Sequence, residues 1–105
     1  MKTYDDLNDA STELYLCAVN DGDFYRQSVT PVINNLAKHY SKGIFNNDLA
    51  VRPFYRLSDS FAKMYVKEYC TEGSKIFTKQ DKQECAEAML FHYMELIIEK
   101  AGELK

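Results

Sequence analysis

Tryptophan is absent from the chain, and glycine, proline and cysteine are scarce: the 105 residues include four Gly, two Pro and three Cys. So few glycines and prolines leave little room for the many turns of a β-sandwich or β-barrel. The cysteines, Cys17, Cys70 and Cys85, are odd in number and show no short Cys-x-x-Cys spacing. We therefore expect buried reduced thiols rather than a disulfide framework or a structural zinc site.

Long apolar runs and a strong charge of one sign are missing as well. No run approaches the roughly 18 consecutive apolar residues that indicate a membrane-spanning helix, and the first residues lack the apolar core of a signal peptide. We therefore expect a cytoplasmic protein that does not associate with membranes. The net charge of -3 argues against a general nucleic-acid-binding domain, which is usually basic. The remaining composition, 46% hydrophobic and 28% charged, is that of a globular domain.

Four segments show helical periodicity, and no segment shows the alternation of a strand. The first covers about 5–19 and is followed by Asn20-Asp21-Gly22, in which Asn and Gly accept the left-handed conformation that closes a helix. The second covers about 23–41 and ends at Lys42-Gly43. Pro31 lies inside this segment, where it either kinks the helix or marks the first position of a new one.

The third and fourth segments carry stronger end signals. The third, about 46–69, opens with Asn46-Asn47-Asp48 and has Pro53 in its second turn. The fourth begins after Thr78, which resembles an N-cap with the acidic Asp81 in the first turn, and it ends at Gly102.

These segments predict an all-α protein, with residues 1–105 forming a single domain. The domain is expected to be a compact bundle of about four helices with short connections. Because the connections are short, consecutive helices are expected to be near-antiparallel neighbours.

The fourth helix is apolar around more of its circumference than one small core needs. One stripe contains Ala86, Met89, Leu90, Tyr93, Leu96 and Ile97. A second stripe contains Phe91, Met94 and Ile98, beside Glu84 and Glu87. A small domain has few ways to surround such a helix without a second chain. We predict that Phe91, Met94 and Ile98 mediate self-association, most simply as a homodimer.

A basic ridge, Arg52, Arg56, Lys63 and Lys67, lies within about 60° of arc on the third helix. Arginine binds carboxylates and phosphates bidentately, so this ridge is suited to an acidic protein or a nucleic-acid backbone. Asp59 lies close by and partly neutralises it. A solvated helix face without a binding role is the alternative interpretation.

Tyrosine is abundant, with eight residues, and tyrosine and arginine dominate the energetics of protein interfaces. Tyr25, Arg26 and Tyr55, together with the basic ridge, are therefore the predicted partner-binding residues. Near-antiparallel packing would place Tyr25-Arg26 and Tyr55-Arg56 at opposite ends of the bundle. The two pairs are then not expected to form one patch.

No pattern predicts catalysis or a bound cofactor. His92, Glu95 and Glu99 share a helical face, but the Glu-x-x-His pairs of a di-iron bundle are absent. Cys85 and His92 lie two turns apart, and core packing is the more common role for such a thiol. No nucleophile elbow, P-loop or dinucleotide-binding turn is present. We predict a protein that is not an enzyme and holds no metal or cofactor.

Three runs resemble a group of small bacteriophage and mobile-element proteins of unknown activity. They are VNDGDFYRQ (19–27), PVINNLAKHYSKGIF (31–45) and DLA…AKMYVKEY (48–69), which together cover about half of the chain. The resemblance implies a phage product in the bacterial cytoplasm, and it brings no functional residues. Small phage accessory proteins often inhibit or modulate a host or defence protein, so we expect this chain to do the same. The alternative is a nucleic-acid-binding regulator that uses the basic ridge.

Overall fold

A computed structural model of the protein describes residues 7–69 and 77–104. All regular structure within these two ranges is helical. The elements are α1 (Asp9–Asn20), α2 (Gly22–Phe24), a π-helical turn (Tyr25–Val29), α3 (Thr30–Ser41), α4 (Asn47–Tyr69) and α5 (Lys79–Glu103). Because α2, the π-helical turn and α3 follow one another without a gap, the described part contains four helical rods. The predicted all-α bundle is confirmed.

The break between α1 and α2 depends on Asp21. Its backbone is extended, with φ -87° and ψ 105°, and its carboxylate accepts the Phe24 N–H at 2.9 Å. Asp21 thus ends one helix and caps the next. The break was predicted, but its mechanism was wrong, because neither Asn20 nor Gly22 has a positive φ.

Pro31 is accommodated by the π-helical turn that precedes it. Proline has no N–H to continue the ladder of α-helical hydrogen bonds. One turn earlier, the Thr30 N–H donates to the carbonyl of Tyr25, five residues back instead of the usual four. The Thr30 hydroxyl donates to the same carbonyl at 3.0 Å. Pro31 then lies in the first turn of α3. A single π-helical turn therefore leads into the proline, and no side-chain cap starts a new helix there.

The turn after α3 is a Schellman motif built on Gly43. This glycine has a φ of +74°, a backbone conformation that residues with a Cβ rarely adopt. Its N–H donates to the Tyr40 carbonyl at 3.1 Å, and the Ile44 N–H donates to the His39 carbonyl at 3.0 Å. The predicted stop at Lys42-Gly43 thus has the geometry expected of a glycine C-cap.

The starts of α4 and α5 are capped by side chains, as their sequences predict. Asn46 Oδ1 accepts the Asp48 N–H at 2.8 Å at the start of α4. Thr78 and Asp81 form a reciprocal capping box at the start of α5. Pro53 lies within α4, which continues through it.

α5 is the central helix, and it packs against α1, α3 and α4. α1 runs in the same direction as α5: the Ser11 hydroxyl lies 3.2 Å from Glu84 Oε1 near the start of both helices. Further along, the Tyr15 hydroxyl lies 3.1 Å from His92 Nδ1.

α3 and the π-helical turn also run in the direction of α5. Tyr25 packs on Tyr93 with ring centroids 5.8 Å apart, and Lys100 Nζ lies 3.2 Å from Asn34 Oδ1. α1 and the next rod therefore share one direction along α5. The expectation that these two neighbours are antiparallel is wrong.

α4 runs antiparallel to α5, as predicted for this pair. Lys82 Nζ contacts Asp59 Oδ1 at 2.7 Å near the start of α5. Phe54, earlier in α4, stacks on Tyr93, later in α5. The two longest helices thereby enclose most of the core.

The core between the rods is mainly aliphatic and aromatic. Its fully buried large side chains are Leu14, Val29, Ile33, Phe54, Met89, Leu90 and Ile97. Ser58 is buried with them, and its hydroxyl lies 3.3 Å from Cys85 Sγ. Tyr93 is also buried, and within the described residues its hydroxyl has no hydrogen-bond partner. Burial, followed by the neighbouring Tyr25 and Tyr15, raises the pKa of Tyr93 to about 12.

Replacing Tyr93 by phenylalanine is expected to raise the free energy of unfolding by about 1 kcal/mol, because a buried hydroxyl without a partner carries an uncompensated desolvation cost. Urea denaturation measures the change. Tyr65→Phe is the control: the Tyr65 hydroxyl donates to Glu13 Oε1, so this substitution should lower stability. A loss of stability in both variants would show that the Tyr93 hydroxyl is satisfied.

Candidate protein-binding surfaces

The outward side of α5 carries three apolar residues, Phe91, Met94 and Ile98, which we call the α5 face. Phe91 is 60% exposed and Ile98 is 44% exposed. Met94 is half-buried and packs against the core. The predicted self-association residues are therefore placed together, with the aromatic ring the most accessible.

The start of the same stripe is covered, which explains why only its second half is exposed. Glu84 is buried, and its Oε1 accepts the Asn8 N–H at 3.3 Å and the Ser11 hydroxyl at 3.2 Å. The N-terminal end of α1 thus lies over the stripe at Glu84. Phe91, two turns later, is not covered in this way.

The basic ridge on α4 is exposed at all four of its positions, as predicted. Its charge is reduced at the centre by Asp59, which lies 2.7 Å from Lys82 Nζ and 3.2 Å from Lys63 Nζ. Hydrogen bonds from Lys82 first, and Lys63 second, lower the pKa of Asp59 below its usual value. Asp59 therefore stays charged and offsets part of the ridge.

The two arginines of the ridge border different grooves. Arg52 lines a groove between α4 and α5, together with Gln83 and Glu87. Arg56 lines a groove between α3 and α4. The two arginines therefore border different grooves, although they lie one turn apart on the same face of α4.

Of the predicted Tyr25-Arg26 pair, the arginine is the more exposed residue. Tyr25 is half-buried, with its ring against Tyr93. Arg26 is exposed and forms an ion pair with Asp23. Tyr55 is also half-buried and packs against the core. These tyrosines remain predicted contact residues through their outer edges only.

A further apolar surface, which the sequence did not predict, lies where α3 meets α4. We call it the α3–α4 groove, a cavity of about 330 Å³. Its lining includes Leu36, His39, Ile44, Phe45, Leu49, Pro53 and Arg56. Ile44 is 62% exposed and Leu49 is 55% exposed. The signal was present: Ile44, Phe45 and Leu49 are apolar at positions where a turn and a first helical turn are usually polar.

The Cys85 thiol is placed for packing rather than for reaction. Cys85 is fully buried, and burial raises its pKa to about 12 despite the hydrogen bond from Ser58. A thiol with so high a pKa is protonated at neutral pH and a poor nucleophile. Cys17 is half-buried, and Cys70 lies outside the described residues. His92 contacts Tyr15.

Over residues 7–69 and 77–104, no three His, Cys, Asp or Glu side chains are grouped to hold a metal ion. The described helices likewise include none with the length and apolar character needed to cross a membrane.

Comparison of the chain with protein-family models, with curated proteins and with solved structures finds no match in any of the three. The resemblance to bacteriophage proteins therefore stays a prediction.

Proposed function

We propose that this protein acts without catalysis, by binding other protein chains. The observation that carries the proposal is the α5 face: Phe91 is 60% exposed and Ile98 is 44% exposed on the helix whose opposite side forms the core. Solvating large apolar side chains on one face is unfavourable, and such patches commonly mark protein-interaction sites. The α3–α4 groove adds a second apolar surface of the same kind.

The proposed biological setting is that of a small accessory protein that regulates a larger protein by stoichiometric binding. The size of the chain and its resemblance to bacteriophage proteins support a host or defence protein as the target. Arg56 and Tyr55 are the proposed anchors for that target, since arginine and tyrosine are frequent hot-spot residues. Arg26 is a further proposed anchor, because its guanidinium is exposed.

Self-association through the α5 face is part of the proposal, and light scattering at micromolar chain concentrations tests it. The wild-type protein is expected at about twice the chain mass of 12.2 kDa. Phe91→Glu and Ile98→Glu should each give a monomer with unchanged helical circular dichroism, because a carboxylate cannot be buried in an apolar contact without a partner.

Leu104→Glu is the matched control, since Leu104 is also an exposed apolar residue near the end of α5 but outside the α5 face. This variant should keep the wild-type mass. A wild-type monomer across the whole concentration range would refute self-association.

Nucleic-acid binding through the basic ridge is the second candidate, favoured by the exposure of all four ridge residues. Phosphate-driven binding weakens steeply as salt is raised, whereas an apolar protein contact responds little. Binding of duplex DNA that disappears with added salt and with Arg52→Ala would support this candidate. Asp59 argues against it, because its carboxylate lies among the ridge cations.

A further inference from the structure

The two exposed apolar surfaces differ in the charges around them. The α5 face is flanked by Glu95 and Glu99, which are exposed. Glu87, at the start of the same stripe, is half-buried and lines the groove that Arg52 also borders. Among the described residues, no ion pair involves these three carboxylates. Lys100, the nearest lysine along α5, donates to Asn34 of α3. The α5 face is therefore apolar with an acidic border.

The α3–α4 groove has the opposite border. Arg56 lines it directly, and Lys38 and Lys42 are exposed at the end of α3 nearby in the chain. The acidic residue closest in sequence is Asp48, which instead lines the groove between α4 and α5. The α3–α4 groove is therefore apolar with a basic border, and its size suits a protruding apolar side chain.

Pairing of two α5 faces with each other is electrostatically poor. In a two-fold contact the same patch meets itself, so Glu95 and Glu99 of one copy would lie opposite the same residues of the other. Like charges held close in a partly dry contact are destabilising. Pairing of the α5 face with the α3–α4 groove brings the carboxylates towards Arg56 instead.

We propose that the α5 face of one copy docks into the α3–α4 groove of a second copy, with Phe91 or Ile98 entering beside Leu49 and the acidic border facing Arg56. This inference rests on the proposed self-association and names the surface that receives it. The contact closes as a dimer when it forms twice about a two-fold axis, with the α5 face of each copy in the groove of the other. Each copy contributes a different surface to a given contact, so the two surfaces can be disabled separately.

A mixing experiment tests the inference directly. Phe91→Glu disables the α5 face and leaves the α3–α4 groove, whereas Leu49→Glu disables the groove and leaves the α5 face. Both side chains are exposed, and circular dichroism checks that both variants fold. Each variant alone should be a monomer by light scattering, and an equimolar mixture should return to about twice the chain mass of 12.2 kDa. Mixing Phe91→Glu with Ile98→Glu is the control: both variants lack a working α5 face, so this mixture should stay monomeric.

Every other outcome counts against the inference. If the wild type associates but the mixture stays monomeric, the α5 face and the α3–α4 groove do not bind each other; the inference then fails while the proposed function stands. If Leu49→Glu alone associates like the wild type, the groove is not the receptor. If the wild type is a monomer at all concentrations, both the inference and the proposed self-association fail.

Discussion

Replacing Phe54 by alanine is expected to lower the free energy of unfolding by about 3–5 kcal/mol. Phe54 is fully buried on α4, and its ring stacks on Tyr93 of α5 with centroids 6.1 Å apart and an interplanar angle of 14°. The change removes this aromatic pair and leaves a cavity between the two longest helices, which a close-packed core cannot fill without rearrangement. Urea denaturation followed by circular dichroism measures the loss.

Leu104→Ala is the control for this prediction. Leu104 is 54% exposed at the end of α5, so its truncation should change stability by less than about 0.5 kcal/mol. A cost below about 1 kcal/mol for Phe54→Ala would contradict the burial of Phe54 between α4 and α5. Most of the small domain's stability is expected to be lost in this variant, because native domains are only marginally stable.

The helix ends were the part of the fold that the sequence predicted best. The Thr78–Asp81 capping box and the Gly43 C-cap each depend on side-chain and backbone groups within a few residues of one another. Such local chemistry can be read from residue types alone. The direction of α1 relative to the next rod cannot, because it depends on the angle at Asp21 and on contacts to α5 formed by residues far away in the chain.

The π-helical turn is one reason why helical periodicity alone does not give the position of Tyr25. A π-helical turn contains more residues than an α-helical turn, so a regular helical period carried across residues 25–29 assigns side chains to the wrong face. Tyr25 packs on Tyr93 as a result. In this turn the Thr30 hydroxyl donates to the Tyr25 carbonyl. The presence of Pro31 in the sequence does not by itself predict a π-helical turn.

Surfaces on a single helix could likewise be predicted from the sequence, whereas a surface formed by two helices could not. The exposure of Phe91 and Ile98, and of the basic ridge, follows from helical periodicity within a single helix. The α3–α4 groove is formed by two helices and the turn between them, so its shape depends on how Leu36, Ile44 and Leu49 are brought together. Periodicity within one helix carries no information about that arrangement.

Replacing Asp81 by alanine is expected to lower the free energy of unfolding by about 1–2 kcal/mol at pH 7. The Asp81 carboxylate accepts the Thr78 N–H at 2.9 Å and the Asn8 side-chain amide at 3.0 Å. It therefore caps α5 and joins the first turn of α5 to the cap of α1. Thermal and urea denaturation of the wild type and of Asp81→Ala measure the difference in stability. Gln83→Ala is the control: it changes an exposed residue in the same part of α5 and should have little effect on stability.

The pH dependence of this difference identifies the carboxylate as its source. Burial works to raise the pKa of Asp81, but the hydrogen bonds from Thr78 and Asn8 outweigh it, so the pKa in the folded protein lies below the usual value of 3.8. A lowered pKa means that the stabilisation is fully present above pH 3.8 and is lost as the pH falls through the folded value. The difference in the free energy of unfolding between the wild type and Asp81→Ala should therefore be constant near neutral pH and become smaller in strong acid. A gap that stays constant across the acid range would show that the charge of Asp81 does not contribute, and that the loss comes from packing alone.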